Sequence, residues 1–170
     1  MNNSGKFALA CWVAVLALSA PVLAADNGIS RVNIPNAPVQ IAAAVTVPPG
    51  YTTYYLSGTA SIADPTAPEG SPKRYGNTEA QTAATLKTLS ETLGKLGLTF
   101  GDVVAAHCFI AGDPAMGGKM DFAGMNRAWA KAFGTKAQPN KPARAAFQIS
   151  ALAAPGALVE IEFIAAKKAP

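Results

Sequence analysis

Two short stretches of the 170-residue chain set reactive side chains among apolar ones. Pro142-Ala143-Arg144 opens one strand-like segment, and Val159-Glu160-Ile161-Glu162 lies in the next. An arginine at the mouth of an apolar strand pair makes a carboxylate receptor, because its planar fork can meet both oxygens at once. A carboxylate nearby can position a water molecule for attack on whatever is bound. The same residues also permit a plainer arrangement, an Arg144–Glu160 or Arg144–Glu162 ion pair at a subunit edge. Other chemistry-bearing residues are few. His107, the one histidine, and Cys108 fall within Val103–Ile110, a run that reads as a buried strand. His107 is expected to be a hydrogen-bonded structural residue, and Cys108 a core residue rather than a nucleophile.

The sequence excludes much. It holds no glycine-rich phosphate loop, no Gly-x-Ser-x-Gly elbow, no paired-cysteine zinc site and no His-Glu-x-x-His. With one histidine as well, a histidine-rich metal site is not expected. Fourteen Lys and Arg against ten Asp and Glu leave a formal charge of +4. That excess is too slight and too scattered to suggest a nucleic-acid surface. With 50% hydrophobic and 14% charged residues, the chain suits one folded domain and not a disordered one.

Part of the apolar content belongs to a leader. Lys6, the apolar run Phe7–Leu18 and Ser19-Ala20-Pro21-Val22-Leu23-Ala24 have the layout of a secretory signal peptide, with Val22 and Ala24 at the −3 and −1 positions. The run is shorter than the ~20 residues that span a bilayer. Cleavage after Ala24 would leave a periplasmic or secreted protein free of the membrane. Cys108 would be its lone cysteine, so no disulfide could form within the chain.

The elements that must position Arg144 and Glu160 follow from periodicity and punctuation. Residues 25–36 read as a flexible lead-in, and 37–168 as a single domain. Gln40–Val47 and Tyr51–Ser57 are expected strands about the Pro48-Pro49-Gly50 turn. Ile62–Gly76, rich in proline, is a loop. Thr78 and Gln81 have capping-box spacing for a helix whose stripe is Ala83, Leu86, Leu89, Leu93 and Leu96, stopped by Gly97. After the Val103–Ile110 strand, Asp121 caps a second helix with Phe122, Met125, Trp129, Ala132 and Phe133 on its stripe, ending at Gly134. Arg144–Ala151 and Ala157–Ala166 complete the strands. The order β-β-α-β-α-β-β gives the α+β class, with two helices packed on one face of a sheet. Alternation in the last strand puts Val159, Ile161, Phe163 and Ala165 on the core face. Leu158, Glu160, Glu162 and Ile164 take the other, a mixed apolar and charged face of the kind another subunit covers. An oligomer is expected.

In order and spacing, four segments resemble the RidA (YjgF/YER057c/UK114) family. They are Asn77–Phe109, Asp121-Phe122 with Asn126-Arg127-Ala128-Trp129 and Phe133, Pro142-Ala143-Arg144, and Leu158-Val159-Glu160-Ile161-Glu162. The resemblance covers roughly residues 52–166. It implies a chorismate-mutase-like fold with a mixed sheet, a homotrimer with ligand clefts between subunits, and no cofactor. It also implies hydrolytic deamination of enamines and imines of 2-oxo acids, such as 2-aminoacrylate and 2-iminopropanoate. Arg144 falls on the family's substrate-carboxylate arginine, and Glu160 on its water-positioning glutamate. Ser57 and Gly58 match the Ser-Gly of a substrate-binding segment, with Thr59 where a glutamine is usual, and Asn126 matches an asparagine read as structural. No tyrosine stands in Ile41–Ala44, where the family has a cleft tyrosine, and Ala146 stands where it has a cysteine. Two other functions remain open: a non-catalytic exported module that binds small carboxylates or acts as an interaction or holdase-like protein, and the endoribonuclease activity of the family's older label.

Overall fold

A computed structural model describes residues 28–169, apart from 36–38, 62, 64, 65, 69, 70, 72 and 73. The proposed leader and its cleavage point lie outside the described residues. Six strands form one sheet: β1 (Ser30–Asn33), β2 (Ala42–Thr46), β3 (Tyr51–Ala60), β4 (Val103–Ala111), β5 (Ala143–Ile149) and β6 (Val159–Lys168). Their lateral order is β1-β2-β5-β4-β6-β3. The sheet is mixed: β4 and β5 run parallel, whereas β6 is antiparallel to both β4 and β3. Helices α1 (Thr78–Lys95) and α2 (Phe122–Ala132) cover one face, as periodicity predicts.

The lead-in expected at 25–36 is corrected in part, because Ser30–Asn33 is a strand paired antiparallel with β2. Its signal was hidden by Arg31, which reads as a polar surface residue and is instead fully buried. The start of α1 is also corrected by one residue. Asn77 is the cap, accepting a hydrogen bond from the Ala80 amide at 2.9 Å. Thr78 and Gln81 turn inward and are fully buried. The Gln81 amide donates to the Gly76 and Gly156 carbonyls at 3.0 and 3.1 Å and accepts from the Leu158 amide at 2.7 Å, tying α1 to the residue before β6. Gln81→Leu leaves these backbone groups unpaired, and is expected to cost about 1–3 kcal/mol in urea denaturation.

At its other end α1 closes with Gly97 at φ 69°, while Leu98 donates to the Leu93 carbonyl at 2.9 Å. This left-handed stop is the one the glycine announces. Asp121 caps α2 as expected, accepting from the Gly124 amide at 2.8 Å. The expected stripes are trimmed at their ends: Ala83, Leu96 and Phe122 are exposed, and the buried face of α1 includes Thr82 and Thr85.

Register decides which way the candidate residues point. Residues directly paired across strands project from the same face. Arg144 pairs with Ala106, which pairs with Phe163, and both partners are buried beneath the helices. His107 pairs with Glu162, and Phe109 with Glu160, on the opposite face. That second face carries Tyr55, 80% exposed, and Phe147, 42% exposed, beside the two glutamates. The buried and half-buried residues of β6 alternate from Val159 to Ile164 as the sequence indicates.

Candidate active site

Arg144 is held by α2. Its Nη2 donates to Asn126 Oδ1 at 2.8 Å, and its Nη1 lies 3.4 Å from the Met125 sulfur. The guanidinium carbon sits 4.6 Å from the centroid of the Trp129 ring and 5.9 Å from that of Phe122. Asn126 and Trp129 are three residues apart, so one helix face supplies both the hydrogen bond and the aromatic platform. Trp129 is itself fixed, donating from Nε1 to the Gln40 carbonyl at 2.8 Å and stacking on Phe133 at 4.3 Å. Burial lowers the Arg144 pKa from its usual value, with the neighbouring Cys108 acting weakly the other way. No carboxylate among the described residues forms an ion pair with Arg144. The plain ion-pair arrangement is therefore not found within the chain.

Glu162 instead meets His107, whose Nδ1 lies 2.6 Å from Glu162 Oε1. His107 is thus satisfied on its strand, as expected. Glu160 is half-buried and has no hydrogen bond or ion pair among the described residues. Gly58 lies against it: a Cβ at position 58 would overlap the Glu160 carboxylate. The β3–β6 register slips between Leu56 and Thr59, so Ser57 and Gly58 form an exposed irregularity beside Glu160, with Thr59 Oγ1 donating to the Ser57 carbonyl at 3.3 Å. Gly58→Ala is expected to displace that carboxylate, the mobile end of a half-buried side chain, with little change in the denaturant midpoint and a lowered rate of ammonia release.

The structure thus brings Ser57, Gly58 and Glu160 together and places Arg144 apart from them, on the other face of the same sheet. One cleft can use both residues only if it lies between two copies of the chain. Where β2 and β5 part beyond their single Ala42–Ala143 pair, a cavity of about 220 Å³ opens. Ala42, Ala43, Ala105 and Ala145 line it together with His107 and Arg144. It is smaller than the ~300–1,000 Å³ of sites for drug-sized ligands and suits a ligand of a few heavy atoms.

Cys108 is fully buried on the helix side, and burial pushes its thiol up to about 12 against a smaller opposing pull from Arg144. It is expected to resist thiol reagents at pH 8 until the protein unfolds, as a timed labelling experiment would show. Because ionisation is favoured in the unfolded chain, stability is retained below about pH 9 and falls as pH rises toward 12. Among the described residues no group of three His, Cys, Asp or Glu side chains could hold a metal ion. Sequence patterns singled out Arg144 and Glu160 as candidates but not the Trp129 ring against Arg144. The signal was present in the Asn126-x-x-Trp129 spacing, which a core-stripe reading absorbs.

Comparison with known proteins agrees with this architecture. Residues 33–167 match the family model described as Endoribonuclease L-PSP. No curated protein matches the sequence. Among solved structures, NMB1025 of Neisseria meningitidis, a member of the YjgF protein family, is 25% identical with a TM-score of 0.51, over 84% of this chain and 97% of that one. YyfB of Yersinia pestis, a Rid-family protein of unknown function, is 21% identical at TM-score 0.61, over 82% and 98%. E. coli TdcF with bound serine is 23% identical at TM-score 0.54, over 71% and 84%. The match along 33–167, on a sheet-and-helix order shared with these structures, places the chain in the Endoribonuclease L-PSP family, that of RidA and YjgF, with its chorismate-mutase-like α+β fold.

Proposed function

We propose that the protein is an exported hydrolytic deaminase of small 2-imino acids, working as a homotrimer at clefts between subunits. The observation that carries this reading is the state of Arg144. Its guanidinium is half-buried and oriented by an amide and an indole, with no carboxylate partner among the described residues. A cation so placed favours an anion that brings two oxygens. The serine bound in E. coli TdcF is also a small carboxylate.

In this reading Arg144 anchors the ligand's carboxylate. Glu160 of the partner subunit, beside Ser57 and Gly58, orients a water toward the imine carbon. The water oxygen bonds to that carbon and the imine nitrogen takes up protons. The carbon–nitrogen bond then breaks, ammonia leaves and the 2-oxo acid remains. Such imines hydrolyse readily in water, so positioning and charge stabilisation are sufficient contributions. Release of ammonia from freshly generated 2-iminopropanoate should rise above the buffer rate, whereas an imine without the carboxylate should gain nothing. Equal acceleration of both imines would remove Arg144 from the mechanism.

A second reading, a carboxylate-binding module without turnover, is favoured by the absence of a tyrosine from Ile41–Ala44. It predicts saturable binding of pyruvate with no ammonia release. RNA cleavage, named in the family description, finds less support. The one histidine is engaged by Glu162, and the basic excess is small.

A further inference from the structure

We infer that Arg31, at the N-terminal edge of the sheet, is a positioning residue for Arg144, setting the register of the strand that carries it. Arg31 lies on β1 and is fully buried. Its Nη1 donates to the Val103 carbonyl at 2.9 Å and to the Lys141 carbonyl at 3.0 Å. Its Nη2 donates to the Gly101 carbonyl at 3.0 Å. These acceptors lie at the entrances of two parallel strands, β4 and β5, just before their first paired residues, Ala105 and Ala143.

Pro142 lacks an amide hydrogen, so it cannot donate to the ladder. The segment leading into β5 is held by its carbonyls and by two side chains, with Asn140 Nδ2 donating to the Gly101 carbonyl and Lys141 Nζ to the Val39 carbonyl, each at 3.3 Å. Arg31 takes that of Lys141, and the Ala42 amide takes that of Pro142 at 2.9 Å. Arg144 follows two residues later. A one-residue slip of β5 against β4 would turn every β5 side chain to the opposite face, carrying Arg144 away from Asn126 and Trp129. A guanidinium suits the task because its rigid fork bridges several carbonyls, which a lysine ammonium on a flexible stem does not reproduce. Burying that cation is costly, and these carbonyl hydrogen bonds offset part of the cost.

The functional consequence rests on Arg144 being the carboxylate anchor; the structural one does not. The test compares the wild type with Arg31→Lys and with Leu89→Ala, a core variant on α1 that destabilises without removing a hydrogen bond at either strand entrance. Calorimetric titration with pyruvate and amide hydrogen exchange across residues 141–146 are read on each, well below its melting temperature. Arg31→Lys should weaken pyruvate binding about tenfold and speed exchange in 141–146 by at least about tenfold, with the exchange of α1 unchanged. Leu89→Ala should leave pyruvate affinity at the wild-type value. Wild-type exchange in 141–146 of Arg31→Lys, or the same affinity loss in both variants, would overturn the inference. A wild type that binds no pyruvate would count against the proposed function alone, and the exchange data would then decide the role of Arg31.

Discussion

Arg144→Ala is expected to lower kcat/KM for 2-iminopropanoate by about 10²–10⁴-fold with the fold retained. Two charge-assisted hydrogen bonds to a carboxylate, each worth about 1.5–3 kcal/mol, disappear with the side chain. The partners left behind tolerate the loss. Asn126 is at the edge of the helix layer, where water can replace the guanidinium, and only a cation–aromatic contact worth about 1 kcal/mol is forfeited. Arg144→Lys keeps the charge but not the fork or the flat face against Trp129, so it should recover little of the activity. Steady-state kinetics of ammonia release, with circular dichroism as the control for folding, distinguishes these outcomes. An Arg144→Ala protein as active as the wild type would leave the carboxylate without an anchor.

Trp129→Ala is expected to have the largest effect on stability, about 3–5 kcal/mol. Trp129 is 1% exposed. It stacks on Phe133 and meets Phe163 edge-on at 6.3 Å, so its loss opens a cavity between α2 and β6. It also strands the Gln40 carbonyl, which its indole now satisfies. A domain of this size has roughly 5–15 kcal/mol in total, so the variant should be marginal at 37 °C. Trp129→Phe separates the two roles. The ring layer survives, while the Gln40 carbonyl loses its donor at about 1–3 kcal/mol. Thermal melts of the three proteins should therefore rank wild type, Phe, then Ala, and pyruvate affinity should fall in the same order because Arg144 rests on this ring.

The parts of the structure legible in the sequence are those set by local rules. Gly97 and Asp121 mark helix ends because a left-handed stop and a side-chain cap depend only on neighbours in the chain. The alternation from Val159 to Ile164 assigns each residue to a face because the strand period is two. Arg144 and Glu160 stand out because charges are rare inside apolar strands. What stayed hidden depends on partners distant in sequence. Arg31 is buried by carbonyls 70 to 110 residues away, so nothing local distinguishes it from a surface arginine. Gln81 has the spacing of a capping residue, yet its amide serves Gly156 and Leu158. Register is equally non-local. The sequence placed Arg144 and Glu160 in neighbouring segments, but the β4 pairings with β5 and β6 put them on opposite faces.

That opposition allows the central claim, a hydrolytic cleft completed by a second copy of the chain, to be tested by subunit mixing. Arg144→Ala and Glu160→Gln proteins, each inactive alone, are co-expressed with different tags and purified through both. In the proposed trimer, purification through both tags leaves mixed rings alone, and in each of these about a third of the clefts join an intact Arg144 of one subunit to an intact Glu160 of its partner. Recovery of roughly that share of wild-type ammonia release from 2-iminopropanoate is the result the account predicts. No recovery in the mixed assembly, with the wild type active under the same conditions, would contradict it.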